Sequence, residues 1–200
     1  MTDTNRPFPK SVHIGDEGQK RFQALAESKG LIVVPATRMQ DMMEHWDFTF
    51  YRNGVPYKVD VKARKKVARS DRDPQDKYIW IELHGVGAHN RGWLYGGSAD
   101  LIAFERAFDF VLVRRLDLIK LVESLITHER VEKARDAIYK VYSRPMRSDL
   151  ITLVETEKLF SITNLVWKKG NFRNDQISSS NESPNVGAPD LDHMGGRSWV

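Results

Sequence analysis

Residues 44–66, EHWDFTFYRNGVPYKVDVKARKK, predict the β-hairpin around which the fold is organised. Asn53 and Gly54 are its turn signal, because both central residues of a type I′ turn adopt positive φ angles. Counting outward from this two-residue loop gives one apolar face and one polar face, as the alternation of side chains along a strand requires. The apolar pairs are Phe48 with Val59 and Phe50 with Tyr57, and the polar pairs are Thr49 with Lys58, Asp47 with Asp60 and His45 with Lys62.

The pairing of Asp47 with Asp60 has a chemical consequence. Counting from the turn places this rung in the non-hydrogen-bonded set, where opposite side chains come closest. Two carboxylates about 4 Å apart repel each other by about 4 kcal/mol at an effective dielectric constant of about 20. A proton, a lysine or a divalent cation relieves that repulsion, and two carboxylates beside Lys62 form the hard oxygen set that Mg²⁺ prefers. A three-residue loop would shift the register and remove the pair.

The composition limits the classes of protein to consider. A chain of 200 residues with 40% hydrophobic residues and five Trp indicates one domain with additions. The absence of Cys excludes disulfides, Cys-containing zinc sites and thiol nucleophiles. The N-terminus lacks the apolar segment of a signal peptide and no apolar run is long enough to span a bilayer, so a cytoplasmic protein is expected. We expect an extended leader over residues 1–13, a single domain over 14–173 and a disordered tail over 174–200.

Positive charge is concentrated next to the hairpin. The net charge of the chain is +4, and residues 58–72 contain seven Lys or Arg against two Asp. A basic run beside a carboxylate pair indicates an anionic polymer as partner, with nucleic acid first, although a solvated loop is the ordinary alternative. We expect Trp93 and Tyr95, in the Gly-rich loop 85–97, either to stack on an exposed base or to anchor that loop hydrophobically. The side chains expected to meet phosphates are Arg64, Lys65, Lys66 and Arg69.

The order of the predicted elements indicates an α/β (α+β) fold with a central mixed β-sheet flanked by helices. The first helix is predicted over residues 16–29, with Asp16 as its N-cap and Gly30 just after its end. The segment 77–84 is apolar on both faces, which is typical of a central strand. Further strands are predicted over residues 31–35, 99–105, 108–114 and 150–154, and further helices around 118–125 and 131–141.

Four residues, taken in their order along the chain, resemble the PD-(D/E)XK nuclease superfamily. They are Glu17 in the first helix, Asp47, and Asp60 with Lys62 in a D-x-K segment on the second strand of the hairpin. The resemblance covers about half of the chain, mainly residues 15–62. Trp46 stands where the name-giving proline of the family would be, and Asp60 stands where many members have Glu.

The resemblance implies a restriction-endonuclease-like core in the order α-β-β-β-α-β and a metal-dependent nuclease that hydrolyses phosphodiester bonds in DNA, as an endonuclease. Asp47 and Asp60 would bind Mg²⁺ or Mn²⁺ together with the backbone carbonyl of Val61. Lys62 would orient or activate the attacking water, and Glu17 would hold a second cation or a water. DNA is the expected partner ahead of RNA, a homodimer is a further expectation, and no membrane is involved.

Alternatives exist for individual residues and for the whole protein. The helix macrodipole alone favours Glu17 in a first turn, and Asp60 with Lys62 can form a surface ion pair. Glu82 either hydrogen-bonds to a metal ligand or is an ordinary residue at a strand edge. His45 either supports a metal ligand or contacts a substrate phosphate, or it forms only a local hydrogen bond. The rival functions are a DNA-binding protein on a nuclease fold that does not cut, and a basic structural or assembly protein with a chance D-x-K.

Overall fold

The computed structural model describes residues 10–86 and 91–170. These residues form ten strands in two sheets, together with four α-helices and two 3-10 helices. The helices are α1 (Lys10–Ser28), α2 (Arg38–Glu44), α3 (Gly92–Gly96) and α4 (Arg115–Leu125), with 3-10 turns at Ala134–Asp136 and Thr156–Ser161. The strands are β1 (Ile32–Pro35), β2 (Phe48–Arg52), β3 (Val55–Lys62), β4 (Tyr78–His84), β5 (Leu101–Glu105), β6 (Asp109–Arg114), β7 (Arg130–Val131), β8 (Val141–Tyr142), β9 (Leu150–Glu155) and β10 (Thr163–Lys168).

A six-stranded mixed sheet in the order β1-β2-β3-β5-β6-β10 forms the centre of the fold. The β3–β5 pair is parallel and the other neighbours are antiparallel. Helix α1 covers one face, where Phe22 packs in a cluster with Phe48 and Val59. Helix α4 covers the other face, where Leu118 joins a second cluster. The predicted fold class, a central mixed sheet flanked by helices, is therefore confirmed.

The predicted hairpin and its register are confirmed. Strands β2 and β3 pair Phe48 with Val59 and Arg52 with Val55. The turn residues Asn53 and Gly54 have φ angles of 51° and 78°, the positive values that a type I′ turn needs. The hydrophobic alternation fixed this register because a slip by one residue would expose the whole apolar face.

The strand predicted at 77–84 as central is instead at the edge of the second sheet, whose order is β4-β9-β8-β7. Both faces of β4 are nevertheless covered. Ile79 and Ile81 pack towards the six-stranded sheet, whereas Tyr78 and Trp80 pack into a third, smaller cluster. A strand between two layers needs apolar residues on both faces wherever it stands in its sheet.

The limits of the first helix are only partly as predicted. Helix α1 begins at Lys10, so residues 10–13 are helical rather than extended and Asp16 lies inside the helix. The predicted end is confirmed, since Gly30 N–H donates to the Glu27 carbonyl and Leu31 N–H donates to the Ala26 carbonyl, the Schellman pattern. Residues 1–9 and the tail from residue 174 onward lie outside the described residues.

The helix predicted around 131–141 is wrong. The segment contains β7, a 3-10 turn and β8. Tyr139 has a φ angle of 58°, which ends any helix there, and its N–H donates to the Leu153 carbonyl at 2.9 Å. The Leu153 N–H in turn donates to the Ala137 carbonyl at 2.9 Å. Pairing with β9 therefore satisfies backbone groups that a helix would have paired internally.

Within residues 10–86 and 91–170, no helix is both long and apolar enough to cross a membrane.

Candidate functional site

Asp47 and Asp60 are both buried, with exposed fractions of 9% and 4%. Asp60 lies on β3, on the face of the sheet opposite to α1, because it alternates with Val59 and Val61, which pack in the cluster with α1. Asp47 directly precedes β2. Its carbonyl accepts from Ala36 N–H at 2.7 Å and its N–H donates to the Val59 carbonyl at 2.8 Å. The N–H of Asp47 thus points to β3, a local departure from the plain ladder that the turn predicts.

The Asp47 carboxylate is held by two hydrogen bonds. Val61 N–H donates to Oδ2 at 2.6 Å, and the Gln19 amide donates to Oδ1 at 2.7 Å. Burial and then the charge of Asp60 raise the pKa of Asp47 to about 7, against the opposing effects of the Val61 hydrogen bond and of Lys62. Asp47 therefore carries a proton below about pH 7 unless a cation is bound beside it.

Lys62 supplies positive charge to this pair. Its Nζ lies 2.6 Å from Oδ2 of Asp60 and 4.6 Å from the ring centroid of Trp93. The contact with Asp60 is an ion pair without hydrogen-bond geometry, so the buried Oδ2 has no hydrogen-bond partner among the described residues. The Lys62 ammonium therefore neutralises a buried carboxylate oxygen that accepts no hydrogen bond.

The end of α2 lies beside the acid pair. Thr37 and Gln40 form a capping box at the start of this helix, and His45 ends it with a φ angle of 53°. The predicted rung of His45 with Lys62 is therefore not formed, because the left-handed His45 precedes β2. Asp41 on α2 was not anticipated: partial burial and then the charge of Asp60 raise its pKa. The Thr-x-x-Gln pattern was the sequence signal for this helix.

Glu17 is not brought to the acid pair. Its side chain is 67% exposed and lies 3.5 Å from the Arg21 guanidinium. A helix turns about 100° per residue, so Glu17 is about 140° around α1 from the buried Phe22. Gln19 lies three residues before Phe22, within the buried stripe, and is the residue of α1 that reaches Asp47. A polar residue inside an apolar stripe was the signal that sequence reasoning missed.

Two features hold α1 close enough for this contact. A Cβ on Gly18 would lie 2.7 Å from the Cβ of Ala63, so glycine permits the close approach of α1 to the end of β3. The buried Glu105 of β5 accepts from Arg21 Nε at 2.6 Å and from Lys169 Nζ at 2.8 Å. Burial alone would raise the pKa of Glu105, but the hydrogen bonds from Arg21 and Lys169 lower it.

The basic residues expected to bind DNA fall into two groups. Arg64 donates to Asp76 Oδ1 at 2.6 Å, and Lys66 donates to the Asp71 carbonyl at 2.6 Å, so both are engaged within the protein. Lys65 and Arg69 line a cavity of about 470 Å³ on the surface of the second sheet. We call this cavity the basic cleft; its wall is formed chiefly by Lys65, Arg69, Trp80, Lys133, Tyr142 and Arg144.

The segment predicted as a Gly-rich loop contains α3, and residues 87–90 lie outside the described residues. Trp93 is only 7% exposed and packs in the core cluster with Phe104. Its position fits the alternative in which it anchors this segment hydrophobically. Tyr95 packs against the same cluster. Glu82 lines the basic cleft rather than contacting the acid pair, and its charge acts on Lys65.

The donor set fits Mg²⁺ held by two carboxylates, with waters and substrate phosphates completing its coordination. No group of three Asp, Glu or His side chains is arranged to hold a metal in the described part of the chain. Mg²⁺ is nevertheless commonly bound through one or two carboxylates plus substrate phosphates. Asp47 and Asp60 are two such carboxylates, and Oδ2 of Asp60 accepts no hydrogen bond but lies 2.6 Å from Lys62 Nζ.

Comparisons with known proteins add little. No family model matches the sequence, and the search of curated proteins found no match. Among solved structures, a bacterial homing endonuclease is similar to this chain with a TM-score of 0.43 and 18% sequence identity, over 56% of this chain and 74% of that chain. A likeness this distant carries no argument about function.

Proposed function

We propose that this protein is a metal-dependent deoxyribonuclease, an endonuclease that hydrolyses phosphodiester bonds in DNA. One observation carries the proposal: two buried carboxylates, Asp47 and Asp60, share one site with Lys62, whose Nζ lies 2.6 Å from Asp60 Oδ2. The raised pKa of Asp47 is what burial beside a second acid produces. Burying two acids together lowers the stability of the fold, and a function is the reason we propose for their presence.

Each residue of the site would have a different role in hydrolysis. Asp47 and Asp60 would hold Mg²⁺ or Mn²⁺, and a bound cation would supply a water of lowered pKa and neutralise charge on the phosphate. The Lys62 ammonium, held over the Trp93 ring, would orient the attacking water or donate to a phosphate oxygen. Gln19 and the N–H of Val61 fix the orientation of Asp47. The carbonyl of Val61 remains a proposed additional ligand.

The basic surface supports nucleic acid as the substrate. The cations Lys65, Arg69, Lys133 and Arg144 line a cleft to which Trp93 also contributes, and Trp93 lies under Lys62. Lysine and arginine side chains supply the phosphate contacts that dominate affinity for nucleic acid. DNA ahead of RNA, and a homodimer, remain predictions.

The rival function is a DNA-binding protein that does not cut. It is favoured by one observation, that no third acid or His completes a ligand group in the described residues. In that protein the ion pair of Lys62 with Asp60 would serve only to neutralise a buried acid.

Cleavage assays separate these two functions. Plasmid, linear, single-stranded and four-way-junction DNA are incubated with Mg²⁺ or Mn²⁺, beside EDTA. We expect metal-dependent cleavage by the wild type that Lys62→Ala loses. The matched control is Lys58→Ala, on the same face of the same strand but paired with Glu44 at 3.0 Å, which should cut normally. Equal cutting by Lys62→Ala would contradict the proposal, and metal-independent binding without cleavage would favour the rival.

A further inference from the structure

The basic cleft has the dimensions of a small-ligand pocket. Its volume of about 470 Å³ lies within the range of about 300–1,000 Å³ that is typical of pockets for small molecules and cofactors. A DNA duplex is too large to enter a space of this volume. A single nucleotide displaced from the duplex can.

The charge of the cleft favours an anion. Five Lys and Arg side chains line it against two carboxylates, Glu82 and Glu132. Arg144 is ion-paired with the buried Asp149. In contrast, Lys65, Arg69 and Lys133 have no acidic partner within ion-pairing distance among the residues that the structure describes. An excess of cations over carboxylates is the usual surroundings of a phosphate.

Lys65 shows this crowding most clearly. Lys65 is exposed to solvent and lines the cleft. Loss of solvation first, and then the positive charges of Lys62 and Arg144, lower its pKa. A bound anion would relieve that repulsion.

The wall of the cleft also contains aromatic rings. Trp80 on β4 is half-buried and Tyr142 on β8 is 9% exposed, and β9 lies between the two strands. Their ring centroids are 6.1 Å apart, with planes inclined by 37°. The Trp80 indole N–H donates to the Lys66 carbonyl at 3.0 Å, which fixes the orientation of its ring. Fixed aromatic rings next to cations are the combination with which proteins bind unpaired bases.

The cleft adjoins the candidate catalytic residues. Trp93 contributes to its wall and also lies 4.6 Å from Lys62 Nζ. The charges of Asp60 and Lys62 both act on Lys65. A nucleotide in the cleft would therefore be continuous with a strand that passes the acid pair.

We propose that the basic cleft receives one unpaired nucleotide of the DNA, with its base against Trp80 and Tyr142 and its phosphate on Lys65 and Lys133. The substrate class would then be DNA that contains an unpaired or displaced nucleotide, since extrusion costs least where the base is not paired. This inference rests on the proposed function for its choice of DNA, but the binding itself requires no cleavage.

DNA binding measured in EDTA tests the proposed role of the basic cleft in the absence of cleavage. The probes are a short paired duplex and the same duplex with one bulged 2-aminopurine. We expect the wild type to bind the bulged duplex about tenfold more tightly, with quenching of 2-aminopurine fluorescence as the base stacks. Tyr142→Leu should lose the preference and the quenching, whereas Tyr142→Phe, which keeps the ring, should retain both.

A second pair of variants changes only residues outside the hydrophobic core. The double variant Lys65→Ala/Lys133→Ala should reduce the preference for the bulged duplex, whereas Lys120→Ala on α4, outside the cleft, should not. Equal affinity of the wild type for both duplexes would overturn the proposal, as would an unchanged preference in the double variant.

Asp60→Asn distinguishes this proposal from the proposed function. We expect it to keep the preference for the bulged duplex in EDTA while losing cleavage. Cleavage by a wild type that has no such preference would overturn the cleft and leave the nuclease standing. The preference without any cleavage would support the cleft and contradict the nuclease.

Discussion

Gln19 and Asp47 are 28 residues apart in sequence, and the side-chain amide of the first donates to Oδ1 of the second at 2.7 Å. The contact joins α1 to the residue that directly precedes β2 in the central sheet. Together with Val61 N–H, which donates to Oδ2 at 2.6 Å, it sets the plane of the Asp47 carboxylate. The orientation of one of the two candidate metal ligands therefore depends on a helix that supplies no ligand itself.

Replacement of Gln19 tests that dependence. Outer hydrogen-bond partners of metal ligands typically contribute about 10- to 100-fold to metal affinity or activity. We expect Gln19→Ala to weaken Mn²⁺ binding and to reduce cleavage by about 10-fold or more, with little loss of stability. The matched control is Gln23→Ala on the same helix, because the Gln23 amide donates to the exposed Glu27 rather than to Asp47. Equal activity of the two variants would show that Asp47 is oriented without Gln19.

The pH dependence of stability tests the burial of the acid pair. The pKa of Asp47 is about 7 in the folded protein and about 3.9 in an unfolded chain. The folded state therefore binds more protons between these values, and stability falls as the pH rises from about 4 to about 7. At about 1.4 kcal/mol per unit, the metal-free wild type should lose about 2–3 kcal/mol between pH 5 and pH 8 relative to Asp47→Asn.

Urea denaturation in EDTA at the two pH values measures this difference. Asn cannot ionise, so the stability of Asp47→Asn should lack the pH-dependent contribution of Asp47. Parallel pH profiles for the wild type and Asp47→Asn would mean that Asp47 is ionised at little cost in the folded protein, and that no cation is needed to stabilise it.

A pair of glycines on α1 tests the close approach of this helix to β3. A Cβ on Gly18 would lie 2.7 Å from the Cβ of Ala63, whereas a Cβ on Gly15 would have no neighbour within 4 Å. We expect Gly18→Ala to destabilise the protein by about 1–3 kcal/mol through overpacking. Gly15→Ala should be neutral or stabilising by up to about 1 kcal/mol, since Ala favours the helix. Thermal denaturation of both variants makes the comparison, and equal melting temperatures would contradict it.

The hairpin could be predicted from sequence because its signals are local. Asn53 and Gly54 set the turn, and the alternation of Phe48 and Phe50 then decided which residues share a face. The same count predicted a rung of Asp47 with Asp60, but the ladder of β2 with β3 begins at Phe48 with Val59 and does not include that rung. What the count could not give was the local departure at Asp47, which arises from hydrogen bonds with Ala36 on β1 and Val59 on β3 at once.

The assignments that failed depended on distant parts of the chain. The apolar spacing around 131–141 fits a helix, but pairing of Ala137 and Tyr139 with Leu153 satisfies the backbone instead. The apolar strand β4 is covered on both faces by two layers whose arrangement no local pattern shows. The Gly-rich segment was predicted as a loop, but it contains α3, and Trp93 anchors it in the core, one of the two alternatives stated for that residue.

The choice between Glu17 and Gln19 failed for a different reason. Glu17 was selected because a family pattern places an acid in the first helix, while the helical period of this chain places Gln19 in the stripe of Phe22 and Ala26. The helix geometry was available in the sequence and was the better guide.

A titration with Mn²⁺, in which electron paramagnetic resonance measures the free ion, tests the central claim most directly. The wild type should bind Mn²⁺ at a site that Asp60→Ala and Asp47→Ala each remove. Asp73→Ala is the control, since this residue is exposed in a loop far along the chain from the pair, and it should bind as the wild type does. Wild-type protein that leaves all Mn²⁺ free, or an Asp60→Ala variant that binds as tightly as the wild type, would contradict the account.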